Sequence, residues 1–130
     1  MRAKSAARSL VLACALAALA LPAWAQRGGA LAPGPGFFPN TAKGERLFKQ
    51  NCAVCHGENL RGTDKGPPLI HPVYKPDHHG DVAFQLAVRN GSRQHHWNFG
   101  DMQPVPGLTA EDVGHITAYV RREQRKAGLF

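Results

Sequence analysis

Five consecutive residues, Cys52-Ala53-Val54-Cys55-His56, constrain this chain more than any other stretch. The pattern C-x-x-C-H sets two thiols three positions apart and an imidazole directly after the second. That spacing suits the attachment of a c-type haem: both thiols bond to the vinyl groups, and the histidine is held beneath the iron as its proximal ligand. A bare C-x-x-C is also half of a zinc site, or a dithiol redox pair. A four-ligand zinc site usually needs a second C-x-x-C or an H-x-x-x-H, and the sequence contains neither. A dithiol motif needs a βαβ context, and no such alternation is visible. One covalently bound haem c is therefore the leading expectation, with zinc and dithiol chemistry behind it.

The chain has 130 residues, enough for one domain. Residues 1–25 have the layout of a cleaved signal peptide. Arg2, Lys4 and Arg8 form a basic leader, an apolar run spans Leu10 to Leu21, and Ala23-Trp24-Ala25 supplies an A-x-A site with cleavage expected after Ala25. The other possibility is a retained anchor, but the run is short beside the roughly 20 apolar residues of a spanning helix. The expected location is the periplasm of a bacterium, with no stable membrane insertion after cleavage. Export removes Cys14 and leaves Cys52 and Cys55, so no thiol remains for a structural disulfide, although the compartment permits one. Losing the three leader cations lowers the formal net charge from +7 to +4. That balance does not argue for nucleic acid; it suits weak docking to an acidic partner, where charge raises encounter rate more than affinity. The remaining core is small, and the cofactor is expected to stand where a core would be, leaving the apo chain poorly folded.

Residues 26–40 are rich in Gly, Pro and Ala and read as a flexible leader, with Phe37 and Phe38 apolar enough to lie back on the domain. A domain is expected over 41–130. Thr41 is expected to cap a first helix running to about Gln50. Gly44 costs that helix about 0.8–1 kcal/mol against Ala, so it is either incidental or the mark of another helix coming close, with Phe48 one turn on filling the space beside it. Residues 57–80 hold Gly and Pro at many positions and read as an irregular loop with at most one helical turn. Within it, a rigid carbonyl in Gly66-Pro67-Pro68-Leu69 is placed to accept the Nδ1 proton of His56, with Leu69 leaning on the haem edge; the alternative is an ordinary proline turn. A short apolar helix over 81–90 should stop at Gly91, with Phe84 and Val88 as core. Met102 follows in a loop stiffened by Pro104 and Pro106. A lone Met is usually a gap-filler, yet its thioether is also a neutral ligand for haem iron. Thr109 should cap a last helix, with Val113, Ile116, Thr117, Tyr119 and Val120 facing inward. Arg121, Arg122, Arg125 and Lys126 read as a solvated cationic end, and secondarily as a docking patch.

Taken together, Gly44…Phe48, the C-x-x-C-H at 52–56, Gly66-Pro67-x-Leu69, the Met102 loop and a last helix bearing Tyr119 resemble a class I cytochrome c over nearly all of 41–126. The resemblance implies an all-α fold of three to four helices with long loops around one haem c. It implies that the first and last helices cross, so that Gly44 and Phe48 meet the Tyr119 face. It carries the thioether cysteines onto Cys52 and Cys55, the proximal ligand onto His56, the distal ligand onto Met102 and the ring-orienting carbonyl onto Pro67.

One departure stands out. Beyond His56 the chain holds His71, His78, His79, His95, His96 and His115. They are candidates for propionate or loop hydrogen bonds, for a second copper or zinc site, or for replacing Met102 on the iron. Trp97 offers an indole N–H to a propionate. An iron with all six positions filled has no place for substrate, and no nucleophile–base pair or carboxylate dyad stands out, so an enzyme is not expected. The expected function is a monomeric electron carrier between redox proteins. The alternatives are a haem subunit fixed to an oxidoreductase complex and a haem protein with an added histidine copper site.

Overall fold

The computed structural model describes residues 31–130. The expected signal peptide, Cys14 and the first part of the leader lie outside the described residues. Four α-helices follow one another: α1 (Thr41–Asn51), α2 (Ala53–His56), α3 (Asp81–Asn90) and α4 (Ala110–Lys126), with a 3-10 turn at Pro72–Tyr74 in the long connection before α3. Among the described residues there is no strand, and the one β pairing is an isolated bridge between Ser92 and Met102. The fold is all-α, as expected. No helix among the described residues is long and apolar enough to cross a membrane.

Asn40, not Thr41, caps α1: its side-chain oxygen accepts from Lys43 N at 2.9 Å, and Thr41 takes the first helical position. Both are good capping residues by chemistry. The choice is made from a distance, because the Asn40 amide donates to His115 Nδ1 on α4 at 2.9 Å and fixes where the chain enters the helix. The helix also runs one residue past Gln50.

Gly44 and Phe48 are the buried positions of α1. A Cβ on Gly44 would run into the His115 carbonyl and stand 3.0 Å from Tyr119 Cβ, so the glycine is required by a close crossing of α1 and α4. One turn on, the Phe48 and Tyr119 rings meet at 5.6 Å. Phe48, Leu60, Leu69, Ile116, Tyr119 and Val120 form the core around that crossing. The last part of the leader also packs on α4: a Cβ on Gly114 would come within 2.8 Å of both Pro33 and Phe37. Phe38 stays exposed.

Helix α4 opens with a capping box in which Thr109 Oγ1 accepts from Asp112 N and Asp112 Oδ2 accepts from Thr109 N. Its buried stripe continues past Val120 into Arg121 and Gln124. This corrects the expectation of a solvated cationic end for Arg121, whereas Arg125 and Lys126 are exposed. Arg121 is only 5% exposed. It donates to Asp81 Oδ1 at 2.8 Å, to the carbonyls of Tyr74 and His79 at 2.5 Å, and to Gln124 Oε1 at 2.8 Å. Gln124 in turn donates to the carbonyls of Leu69 and Tyr74. The segment between α2 and α3 is largely irregular, so its carbonyls lack helical partners and must find donors elsewhere. A planar guanidinium with five donors meets that need from one position on a helix.

Candidate cofactor-binding site

The helices and loops enclose a cavity of about 690 Å³, inside the 300–1,000 Å³ range of cofactor-sized pockets. Cys52, Cys55, His56, Pro67, Leu69, Trp97 and Met102 all line it. Seven positions separated by up to 50 residues along the chain thus border one space.

Cys52 and Cys55 stand at the junction of α1 and α2. Cys52 ends the first helix, its N–H reaching Phe48 O, and opens the second, its carbonyl accepting from Cys55 and His56 N at 3.2 and 3.0 Å. Both thiols are free and half-buried. Burial, and then the neighbouring Cys55, push the Cys52 thiol up to about 11. Gly57 ends α2 at φ 77°, where a Cβ would stand 2.8 Å from Gly62 O. The turn this permits returns the chain beside α2: Gly62 N donates to His56 O, and Leu69 and Ile70 N both donate to Leu60 O.

That returning loop fixes the histidine. His56 Nδ1 lies 2.9 Å from Pro67 O. A carbonyl only accepts, so Nδ1 carries the proton and Nε2 keeps its lone pair. Burial pushes the His56 pKa down, against the opposing pull of the Pro67 bond, which keeps the ring neutral and ready to ligate.

Met102 is held at the cavity wall by backbone pairing. Ser92 N donates to Met102 O at 3.0 Å and Met102 N donates to Ser92 O at 2.8 Å. Gly91, at φ 75°, makes room: a Cβ there would run into Met102 O and stand 3.1 Å from Pro104 Cδ. Val105 N then donates to Val88 O at 2.8 Å and ties the far side of the loop to α3.

Trp97 Nε1 is buried without an acceptor in hydrogen-bond geometry. It lies near enough to the Tyr74 hydroxyl to pull that phenol's pKa down a little, but burial wins and the Tyr74 pKa is raised. An indole N–H left open on a cavity wall is a donor waiting for an anionic group.

The histidines divide. His115 accepts from Asn40 N, and His71 accepts from Val73 N and meets Trp97 edge-on at 4.9 Å. His78, His79, His95 and His96 converge from two loops. Their convergence, and the buried role of Arg121, are what the sequence did not reveal. Arg121 follows Thr117 by four and precedes Gln124 by three, so its place on the inward stripe was open to view. The pairing of two histidine doublets 16 to 18 residues apart has no such local signal.

The donor set fits haem c. Two thiols, a neutral imidazole braced on a carbonyl, a soft thioether and an open N–H share one largely apolar cavity. Zinc at the motif is disfavoured, because among the described residues the one set of three potential ligands close enough to share a metal is His78, His79 and His96, not Cys52, Cys55 and His56.

Comparison with known proteins agrees. Residues 41–123 match the cytochrome c family. The chain belongs to that family, and it is an electron-transfer haem protein. It is 35% identical over 82 residues to the cbb3-type cytochrome c oxidase subunit CcoP of Rubrivivax gelatinosus, covering 61% of this chain and 24% of that protein. It is 42% identical over 45 residues to the menaquinol:cytochrome c reductase cytochrome c subunit of Bacillus subtilis, covering 34% of this chain and 18% of that one. The chain thus matches a quarter or less of the length of either relative. No solved structure gives a significant match.

Proposed function

We propose that the protein is an exported, mono-haem cytochrome c that carries single electrons between larger redox proteins and performs no catalysis of its own. The observation that supports this most is the pair of braced donors at one cavity: His56 on Pro67 O at 2.9 Å, and Met102 paired on both sides of its residue with Ser92. When bound, haem c supplies a one-electron iron couple, whose potential a thioether ligand raises. The chain does the rest. Cys52 and Cys55 tether the group covalently. His56 presents Nε2 while Pro67 holds its Nδ1 proton, which raises ligand basicity. Met102 supplies the sulfur, and its pinned backbone keeps that sulfur from swinging away. Leu69, Val88 and Ile116 exclude water. Trp97 offers its N–H to a carboxylate at the rim. With His56 and Met102 both committed to holding the haem iron, no open position would be left for a substrate.

A second reading, a haem subunit fixed within an oxidoreductase, draws on the two relatives, whose names describe them as subunits. Purification without detergent from the periplasm as a monomer supports the shuttle; a stable co-purifying redox enzyme supports the subunit. The axial assignment is tested by absorption. The oxidised protein should show the weak far-red sulfur-to-iron band and bind cyanide slowly. Met102→Ala should lose the band and bind cyanide quickly. Absence of the band in the parent protein would overturn Met102 ligation in favour of a histidine.

A further inference from the structure

Four histidines that the electron-carrier reading leaves unused come together at one spot. His78 and His79 close the segment before α3, and His95 and His96 stand on the loop between Gly91 and Met102. His78 Nε2 and His96 Nε2 are 3.1 Å apart, and His79 Nε2 and His95 Nε2 are 3.2 Å apart. The ligand atoms of His78, His79 and His96 all lie within 4.8 Å of one another. Metal–imidazole bonds of about 2.0–2.1 Å set neighbouring nitrogens of a tetrahedron about 3.3 Å apart. His78, His79 and His96 are spaced as ligands around a shared ion, and His95 stands beside His79 as a fourth.

Protonation sharpens the point. His79 Nδ1 lies 2.7 Å from Val73 O, and His95 Nδ1 lies 2.7 Å from Arg93 O. Carbonyls only accept, so both Nδ1 atoms carry the proton and each neutral ring turns a lone pair at Nε2 toward the other. Two lone pairs at 3.2 Å repel unless a proton or a cation stands between them. Bracing each ligand ring through its other nitrogen on a carbonyl is also how metal-binding histidines are commonly oriented.

We propose that His78, His79, His95 and His96 bind one imidazole-preferring first-row transition cation, copper(II) ahead of nickel and zinc, at the rim of the haem cavity. Among the described residues no carboxylate or thiol shares the three-histidine set, and an all-imidazole set favours copper, nickel and zinc over magnesium or calcium. Copper leads by the general order of divalent affinities. His78, His95 and His96 are exposed, so an ion reaches the site from solvent, while His79, His95 and His96 also border the cavity. The bound ion joins the segment before α3 to the loop that carries Met102. The proposal is independent of whether the protein is a free shuttle or a fixed subunit.

The test is titration of the haem-loaded exported protein, stripped with a chelator, with copper(II) chloride, followed by calorimetry and electron paramagnetic resonance. One copper per chain beyond the haem iron is expected, with splitting from at least three imidazole nitrogens, and magnesium should not bind. His78→Ala/His96→Ala should weaken copper binding by at least about tenfold with the haem spectrum unchanged, whereas His115→Ala should bind copper as the parent does. No stoichiometric copper in the parent, fewer than three imidazoles in its spectrum, or unchanged affinity in the double variant would each overturn the site. The parent's nitrogen count decides the matter even if the double variant fails to fold.

Discussion

Arg121 is the side chain on which the irregular half of the molecule leans. Its guanidinium serves two loop carbonyls, a buried amide and an exposed carboxylate at once. Arg121→Met keeps the apolar stem but leaves the His79 carbonyl and the buried Gln124 Oε1 without this donor, while Tyr74 O keeps its bond from Gln124, and should cost about 1–3 kcal/mol, read as a lower urea midpoint with unchanged slope. Asp81 is solvated, so the loss should come from the His79 carbonyl and the Gln124 amide oxygen; Asp81→Asn should therefore cost much less. Arg121→Lys should recover only part, because one ammonium cannot reach the spread of acceptors that a planar fork does. Its spacing from Thr117 and Gln124 marks the inward stripe, but a cation near a helix C-terminus already has a sufficient local reason to be there, which masks the role. His56 was the opposite case. Its neighbours in sequence and the proline-stiffened stretch ten residues on named both the ring and the kind of group that meets it.

At the scale of elements, the α1–α4 crossing is set by a missing side chain. Gly44→Ala would gain about 1 kcal/mol in helix propensity and lose more, because the new Cβ meets a backbone carbonyl that cannot step aside. Overpacking of this kind costs about 1–3 kcal/mol. A net destabilisation of about 1–2 kcal/mol is expected, measured by urea unfolding of the haem-loaded protein; a stabilised variant would show that the helices can part without loss. The helices themselves were legible from periodicity and end signals. The first residue of α1 was not, since Asn40 and Thr41 are both able caps and a bond to His115, 75 positions away, chooses between them. The short α2 was likewise not separable from α1, because Cys52 ends one helix and begins the next within a single residue.

Across the whole molecule, a cavity of about 690 Å³ lies where a domain this size would otherwise keep its largest side chains. Cohesion therefore depends on what fills it. Cys52→Ala/Cys55→Ala, which has no thioether tether, should lose its near-ultraviolet dichroism and its cooperative urea transition while keeping part of its helical signal. A sharp, haem-free transition would instead show that the helices hold one another unaided. The need for a filling group was readable in advance from small size and a five-residue motif. The gathering of four imidazoles was not, because it joins two irregular loops whose mutual approach no local pattern encodes.

The bridge between Ser92 and Met102 closes a noose. Two reciprocal amide bonds knot its neck, and Gly91 is shaped so that the knot can tighten. What lies inside the noose, from 93 to 101, does not have to hold the sulfur in place. That stretch can therefore carry other groups, Trp97 on the cavity wall and His95 and His96 at its rim, while the thioether stays where it is. Grafting a nine-residue tip that keeps only Trp97 between the two knotted residues should leave the far-red band intact.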